Sequence, residues 1–471
     1  MKSFCIRSMP GVLLGVSALF LAACGGGGGG GGDSDPPVQM PPPDPGATGV
    51  SGKITAPNGE TPIAGVTVYY TGSAQGQSPP VPRALGMQSQ QGCAPPADSN
   101  ALWACTDQYG YFVLEFDSLD PVPETLPIHF IKGKWSGQAN VGALGEYAGV
   151  MPFSSDPDAG APRIAVITGS FDQIENVLVR LGMTSNPAQG QSLTTTAAPA
   201  QETARHFHRH DHSAVQPRMG LLEDDPDIDF CDPPDNAPPW WPPELPWPPP
   251  PEFCLVQPPP EWLGSETFDL YIGSRQYADE GENYPGMEEL FELVDGQPRL
   301  LNYDILYVNC DAPEPEHANW EQDVTQFVNQ GGLLYVTDLS SAWVAEPFYA
   351  YVGPDYTTFG GVDTGDRVQV VDTVLRNWMR AMPCRNGNAC VDGNGRFSLT
   401  GYGDDVLEPY DPAVVPLVTE VSGNRVLTLR FPHGDSAGQV FFSTFHTADQ
   451  SYGGSGRTAE ERMLEYLFYA D

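Results

Sequence analysis

Positive charge is scarce in this sequence. Its 22 Lys and Arg residues are outnumbered by 60 Asp and Glu residues, and the formal net charge is −38 at pH 7. Nucleic acids and anionic lipid surfaces attract proteins through clusters of cationic side chains. The acidic excess therefore disfavours both as partners, while it is compatible with solubility outside the cytoplasm and with divalent cations. We interpret most of this charge as solvated surface.

Several motifs of metal binding and catalysis are also absent. No C-x-x-C pair occurs, which disfavours a zinc ribbon or a thioredoxin-type site. There is no G-x-S-x-G nucleophile motif, no Walker loop for phosphates and no H-E-x-x-H zinc motif. Beyond the first segment, no apolar run is long enough to span a bilayer. From these absences we expect no cofactor.

The N-terminal segment has the pattern of a secretion signal. Lys2 and Arg7 precede a short apolar run over 12–21, and the motif LAAC that ends at Cys24 resembles a bacterial lipobox. The resemblance implies a signal peptide over 1–23 and a diacylated Cys24, whose acyl chains contribute about 0.8 kcal/mol per buried CH₂. The alternative is an ordinary secretory signal with a chance cysteine.

The segment after Cys24 predicts where such a lipoprotein resides. In the lipoproteins that this segment resembles, an Asp directly after the cysteine favours retention in the inner membrane. Here Gly25 follows the cysteine instead. We therefore expect a lipid anchor in the cell outer membrane, with the protein facing the periplasm or the cell surface. The Gly/Pro-rich stretch 24–47 is a tether, because oligo-glycine is flexible and proline runs are extended.

The remaining cysteines suit an oxidising compartment. Six of them are neighbours in sequence that flank polar or Pro-rich loops, and we predict three local disulfides: Cys93 with Cys105, Cys231 with Cys254, and Cys384 with Cys390. Since six cysteines allow about 15 connectivities, this pairing rests on short loop closure. Cys310 is left over at the end of an apolar strand, so we expect it to be free and buried.

Residues 48–150 show short alternating strands separated by glycine turns, at 50–55, 63–70 and 106–114. The pieces VSGKI, PIAGVTV and TDQYGYFVL, in this order, resemble the carboxypeptidase regulatory-like, or transthyretin-like, β-sandwich. Such domains are structural or adhesive modules, and related sandwiches bind carbohydrate. Trp103, Tyr109 and Trp135 are candidates for stacking on a sugar, the alternative being that they pack in the core.

Residues 163–471 alternate strands with helices, which predicts a flavodoxin-like α/β three-layer sandwich. The clearest unit is 303–340, where apolar runs at 305–308 and 333–336 flank an amphipathic helix that contains Trp320, Val324 and Phe327. Ser170 and Gln173 match a capping box before a helix that starts at Ile174. Further predicted elements are strands at 164–167, 268–272, 414–419, 425–431 and 440–445, and helices around 287–294, 368–379 and 459–469, although 369–371 could instead extend a strand.

An insertion over 185–262 interrupts this second unit. Few of its residues could build a core, so we expect disorder or a loosely wrapped loop. Its proline runs with paired tryptophans predict a polyproline II strip that packs on this protein or is offered to a partner. Alternate histidines, His206, His208, His210 and His212, are candidate metal ligands, the alternative being a solvated polar tract.

The pieces YDILYVNC, FVNQGGLLYVTD and GQVFFSTFH resemble the class I glutamine amidotransferase-like superfamily. Active members carry a nucleophilic cysteine on a G-x-C-x-G elbow, and Asp338 stands at that position here, without either glycine. His446 matches the family's histidine, but the acid that follows it in the family is missing. Cys310 ends the preceding strand and does not match the nucleophile. The resemblance therefore implies the fold without the chemistry.

Ligands of parallel α/β sheets bind beyond the carboxyl ends of the strands. Ser170, Asp311, Asp338 and His446 follow predicted strands, and we expect them to share that edge as candidate ligand-binding residues. Asp338 and His446 are also the catalytic candidates. The alternative is that each residue only caps its own loop.

These patterns predict a multidomain lipoprotein that binds or scaffolds without catalysis. The expected partners are the membrane, through the lipid anchor, and carbohydrate or an envelope protein. The alternative function is a hydrolase that uses the strand-end cleft.

The lipid anchor is directly testable. In Cys24→Ser the acylated sulfur is lost, so we expect the protein to leave the membrane fraction and its signal to stay uncut by the lipoprotein peptidase. Fractionation and mass spectrometry of the N-terminus measure both. Unchanged membrane partitioning and processing of the variant would refute the anchor.

Overall fold

The computed structural model describes residues 41–46, 48–71, 93–96, 101–116, 125–142, 144–170, 172–185, 262–274, 284–353, 362, 365–400, 403–423, 425–434, 438–446 and 457–470. These described residues belong to one compact unit. Within the described ranges, no helix has the length and apolarity to cross a bilayer.

The first part of this unit consists of two small sheets packed face to face. One has the strand order β4-β1-β7 and the other β3-β2-β5-β6. Alternate residues of these strands point into a shared core, as the pattern of burial in β5 illustrates. The strands are β1 (Gly49–Thr55), β2 (Thr67–Tyr70), β3 (Leu102–Cys105), β4 (Tyr111–Glu115), β5 (Leu126–Lys132), β6 (Trp135–Val141) and β7 (Tyr147–Pro152).

The sequence predicted fewer and longer strands here than the structure contains. The predicted strand at 63–70 begins only at Thr67. The preceding residues form a loop whose backbone hydrogen-bonds to the side chain of Thr106 instead of to another strand. Its hydroxyl accepts from the Val66 amide at 2.8 Å and donates to the Ile63 carbonyl at 2.7 Å. Strands β3, β5, β6 and β7 were not predicted. Several of their residues are partly exposed, which weakens the apolar alternation.

Two of the three predicted cysteine pairs are bonded in the structure. Cys93 is joined to Cys105 at the end of β3, and Cys384 to Cys390. Cys310 is free and buried, as expected. The predicted pair of Cys231 and Cys254 lies outside the described residues.

The second part contains a mixed sheet of nine strands in the order β15-β14-β16-β17-β18-β13-β12-β8-β9. The five strands from β18 to β9 are mutually parallel, and the other four are antiparallel additions. The strands are β8 (Ile164–Ile167), β9 (Asp269–Tyr271), β12 (Ile305–Val308), β13 (Leu333–Thr337), β14 (Arg367–Val370), β15 (Arg396–Ser398), β16 (Val415–Glu420), β17 (Val426–His433) and β18 (Gly438–Ser443), with a separate hairpin of β10 (Leu293–Val294) and β11 (Gln297–Pro298).

The parallel strands are buried on both faces. In β8, Ile164 and Val166 belong to one apolar core, whereas Ala165 and Ile167 belong to another. Residues of α1, α5 and α6 line the first core, and those of α2, α3 and α4 line the second, so helices cover the sheet on each side. The helices are α1 (Ile174–Arg180), α2 (Trp320–Asn329), α3 (Ala342–Ala345), α4 (Tyr349–Val352), α5 (Thr373–Ala381) and α6 (Ala459–Leu467).

Three local predictions need correction. The expected capping box at Ser170 is wrong, since α1 begins after Gln173 and no side chain caps it. The helix expected around 287–294 is a short 3-10 turn, Met287–Phe291, followed by β10. The helix expected over 368–379 is strand β14, in agreement with the alternative strand at 369–371, and then α5. This helix starts where the Asp372 carboxylate accepts from the Leu375 amide at 2.8 Å.

The two parts share one apolar core. Trp135 of β6, which is 1% exposed, packs against Phe468 and Tyr469 at the end of α6, with ring centroids 5.2 and 4.9 Å apart. Its indole N–H donates to the Phe468 carbonyl at 3.3 Å. The burial also rules out Trp135 as a sugar-stacking residue, and a packing role, the alternative interpretation, applies.

Replacement of this anchor tests whether the two parts unfold together. Trp135→Ala removes a buried indole at the junction, so we expect a loss of about 3–5 kcal/mol in the free energy of unfolding, in one transition. Denaturant titration followed by both fluorescence and circular dichroism measures it. The control Tyr410→Ala removes a ring that is 77% exposed and should change little. Two separate transitions in the parent protein would contradict the shared core.

Candidate functional site

A thiol, an imidazole and a carboxylate meet at the carboxyl ends of three adjacent parallel strands. Cys310 follows β12, Asp338 follows β13 directly, and His446 follows β18. The His446 Nε2 atom lies 2.9 Å from Cys310 Sγ and 2.8 Å from Asp338 Oδ2. Cys310 Sγ and Asp338 Oδ2 are 3.6 Å apart. We call Cys310, Asp338 and His446 the strand-end cluster.

The cluster is closed to solvent. Cys310 and Asp338 are fully buried and His446 is 3% exposed. Neighbouring loops approach it closely at glycines: a Cβ atom on Gly169 would collide with the Cys310 carbonyl, and one on Gly403 with the Thr444 carbonyl. These contacts leave no space at those two positions for any larger residue.

Asp338 is held by backbone groups on one side and by the cluster on the other. Its Oδ1 atom accepts from the amides of Asp404 and Asp405, both at 2.7 Å, while Oδ2 faces His446. The residue has φ of 40°, in the left-handed region that non-glycine residues rarely adopt. Such backbone strain persists where the surroundings fix the residue. The carboxylate therefore has a fixed position.

Electrostatics favour a protonated thiol and a charged imidazole. Burial, followed by the charge of Asp338, raises the pKa of the Cys310 thiol well above its ordinary value. Burial by itself would lower the pKa of His446. The hydrogen bond and charge of Asp338, with the charges of Asp172 and Asp404, nevertheless raise that pKa. Asp338 thus favours the charged form of the imidazole, and burial favours the neutral form of the thiol.

More acidic groups lie buried near this edge. Burial raises the pKa of Asp405 to about 6, against the hydrogen bond from Ser341, and the charges of Asp338 and Asp404 add to it. Glu175 is also fully buried and accepts from the Asn309 side-chain amide at 2.7 Å. The surroundings of the cluster therefore carry an excess of carboxyl groups, which favours a positive charge within it.

The structure brings the side chains of Asp338 and His446 into the cluster and places Asp311 next to it, whereas Ser170 contributes only its backbone amide. Asp338 and His446 are members, and Asp311 follows Cys310 with a φ of 66°. Ser170 joins through its backbone, since its amide donates to the Cys310 carbonyl at 3.0 Å, while its side chain is exposed. A loop-capping role for Asp338 is not what the structure shows, because its carboxylate contacts another loop and another strand.

Sequence reasoning missed the role of Cys310 in this site. The sequence predicts only a free buried thiol there, and it places His446 and Asp338 at one edge without the acid that follows the histidine in the family. Asp338, from 108 residues earlier in the chain, supplies that acid. The position of Cys310 directly before Asp311, at the end of a predicted strand, was a usable signal. Cys24 and the four histidines of the insertion lie outside the described residues.

An open cleft lies at the opposite edge of the sheet. It has a volume of about 530 Å³ and lies at the amino ends of β8 and β9. Polar side chains there include Arg163, Asp269, Arg299 and Tyr303, and Val294 adds an exposed apolar surface. The Tyr303 hydroxyl donates to Asp269 at 2.6 Å. A ligand could therefore enter this cleft without approaching the strand-end cluster.

Comparison with known proteins identifies no family. No protein-family model and no curated protein matches the chain. Similar solved structures include the β-galactosidase from Rahnella sp. R3, with 14% identity, a TM-score of 0.21, and coverage of 36% of this chain and 22% of that one. The β-galactosidase from Bacillus circulans sp. alkalophilus has 13% identity and a TM-score of 0.20 over 36% of this chain and 22% of that one. The chain spans about a fifth of the length of each, and similarity at this level carries no argument about function.

Burial and a raised pKa predict that Cys310 is inert. In the native protein at about pH 8 we expect iodoacetamide to leave this thiol unmodified, because it reacts with an accessible thiolate. Peptide mapping by mass spectrometry measures the modified fraction. Denatured protein should react fully at Cys310, and Ser422→Cys, on an exposed turn, supplies a native thiol that reacts. Native labelling of Cys310 as fast as that control would contradict the buried, protonated thiol.

Proposed function

We propose that this chain is a non-catalytic lipoprotein of the bacterial cell envelope that binds or scaffolds other molecules, carbohydrate being the first ligand class to test. The observation that carries the non-catalytic part is the burial of all three side chains of the strand-end cluster, which also raises the pKa of the Cys310 thiol. A cysteine nucleophile needs a thiolate and access to its substrate. Neither is favoured here.

The contacts of His446 support the same conclusion. In a catalytic triad, one ring nitrogen faces the nucleophile while the other donates to the acid. Here both Cys310 and Asp338 contact the same atom, Nε2. If Nε2 carries a proton and donates it to the Asp338 carboxylate, the same atom has no lone pair left to accept the proton of the thiol. The arrangement suits a buried ion pair better than a proton relay.

We further propose that the second part is a flavodoxin-like α/β three-layer sandwich of the class I glutamine amidotransferase-like kind. The arrangement of its sheet supports this fold. Five parallel strands with helices on both faces are expected of that fold. Asp338, with φ of 40° directly after β13, has a conformation suited to a nucleophile elbow. A carboxylate replaces the cysteine there, in keeping with the fold without the amidotransferase chemistry.

The open cleft is the place we propose for a ligand. Its guanidinium groups, carboxylate and phenol offer donors and acceptors, and Val294 adds an exposed apolar surface. Sugars present hydroxyl groups around an apolar ring face, so such a lining suits them. Anchoring at Cys24 would hold this cleft at the outer membrane.

The second candidate function is a hydrolase with Cys310 as nucleophile and His446 as base. One observation favours it: the 2.9 Å contact between Cys310 Sγ and His446 Nε2 is within the reach that proton transfer requires. It would need an opening of the strand-end loops that exposes the thiol and lowers its pKa.

Binding and turnover can be tested on the same mature protein. On a glycan array we expect binding that falls at least tenfold in Arg163→Ala, since hydrogen bonds to charged groups contribute about 1.5–3 kcal/mol. The control Arg367→Ala removes a guanidinium on β14, which lies near the other end of the sheet from β8 and β9 and pairs with Asp392. This variant should bind as the parent does.

Turnover is measured with ester, amide and glycoside substrates. We expect none above the uncatalysed rate. Hydrolysis that Cys310→Ser abolishes would overturn the non-catalytic proposal, and an array without any bound glycan would remove carbohydrate as the ligand class.

A further inference from the structure

The strand-end cluster contains the donor set of a metal site. Cys310 Sγ, Asp338 Oδ2 and His446 Nε2 lie within 4.8 Å of one another, and all three residues are buried. We propose that these atoms bind one divalent transition-metal ion of the zinc class. This site is distinct from the histidine tract of the insertion, and it does not depend on the proposed ligand in the open cleft.

The geometry suits an ion of that size. The three donor atoms form a triangle with sides of 2.9, 2.8 and 3.6 Å. Zinc takes nitrogen and oxygen ligands at about 2.0–2.2 Å and sulfur at about 2.3 Å. A triangle of these dimensions has points above its plane that lie at such distances from all three corners. Tetrahedral coordination separates such donors by about 3.4–3.6 Å, so Cys310 Sγ and Asp338 Oδ2 each move about 0.6 Å away from His446 Nε2 when the ion binds. The three donors occupy three of zinc's four positions, and the fourth is left to a further ligand.

The donor chemistry selects the class of metal. Thiolate and imidazole ligands favour zinc and its neighbours in the first transition row, whereas magnesium and calcium take oxygen ligands. Asp338 adds one oxygen, which zinc also accepts. A set of one sulfur, one nitrogen and one oxygen thus indicates Zn²⁺, with Co²⁺ as its spectroscopic substitute.

The surrounding charges fit a cation at this place. Asp172, Glu175 and Asp405 are buried near the cluster. When the ion binds, the Cys310 thiol loses its proton to solvent and binds as the thiolate, and His446 binds through a neutral Nε2. The surrounding carboxyl groups then offset the charge of the ion.

The supporting backbone is rigid. β18, β13 and β12 are adjacent in the sheet, and their paired residues fix the register between them. An ion bound by residues that follow these three strands would link the strand ends. Because the cluster is closed to solvent, the role we assign to the ion is structural, in agreement with a non-catalytic protein.

The test uses the mature protein, stripped of metal and titrated with Co²⁺ to equilibrium. Thiolate coordination gives a near-ultraviolet charge-transfer band, so we expect that band at one Co²⁺ per chain, its loss when Zn²⁺ is added, and a higher melting temperature with Zn²⁺. Cys310→Ser should abolish the band, and Asp338→Asn should weaken Co²⁺ binding at least tenfold. Circular dichroism establishes that each variant is folded.

Two control variants separate this site from other donors in the chain. Replacement of His206, His208, His210 and His212 by Gln leaves the thiolate intact and should retain the band, and so should the double variant Cys231→Ser/Cys254→Ser. Absence of the band in the parent protein overturns the proposal whatever the variants do. A band that persists in Cys310→Ser, or one that disappears in either control, overturns it as well. Glycan binding and turnover are separate readouts, so failure here leaves the proposed function untouched.

Discussion

Asp338 places a carboxylate with no exposed surface between two backbone amides, an imidazole and a thiol. A charge removed from water must be paired and hydrogen-bonded, or it changes its protonation state. The amides of Asp404 and Asp405 satisfy one oxygen, and His446 satisfies the other. The loop after β15 and the residues after β13 and β18 are therefore held together through one side chain, and the placement of Cys310 depends on that arrangement.

The rest of the architecture provides the burial that makes this pairing necessary. The parallel strands are covered on both faces, and the sandwich contributes to one of the two cores through Trp135. Closely packed loops at Gly169 and Gly403 exclude water from the strand ends. In such surroundings burial raises the pKa of the Cys310 thiol, and the neighbouring Asp338 raises that of His446 against the effect of burial. The same burial that disfavours nucleophilic catalysis gives three converging ligands a low-dielectric environment, in which a metal ion would be bound firmly.

The elements that the sequence predicted well are those whose pattern is local. Strands β8 and β12 are apolar on both faces and bounded by polar residues, and both were predicted at their observed bounds. Helix α2 follows from the spacing of Trp320, Val324 and Phe327, and its end from the pair of glycines. Strands β3, β6 and β7 of the sandwich escaped prediction because their alternation is weak, whereas β5 alternates clearly and was missed all the same. The capping box at Ser170 failed because the chain turns to meet the Cys310 carbonyl before the helix starts.

The sequence by itself determined the α/β alternation around β8, β12, α2 and β13, the buried free thiol, the two short disulfides and the edge of the sheet at which polar residues gather. Each of these depends on neighbours in the chain or on a general property of parallel sheets. Only the tertiary structure decided that Cys310, Asp338 and His446 touch, that they are closed to solvent, and that the open cleft lies at the other edge. Contacts between residues about a hundred positions apart depend on the order of strands and on loop packing, and no local pattern encodes either.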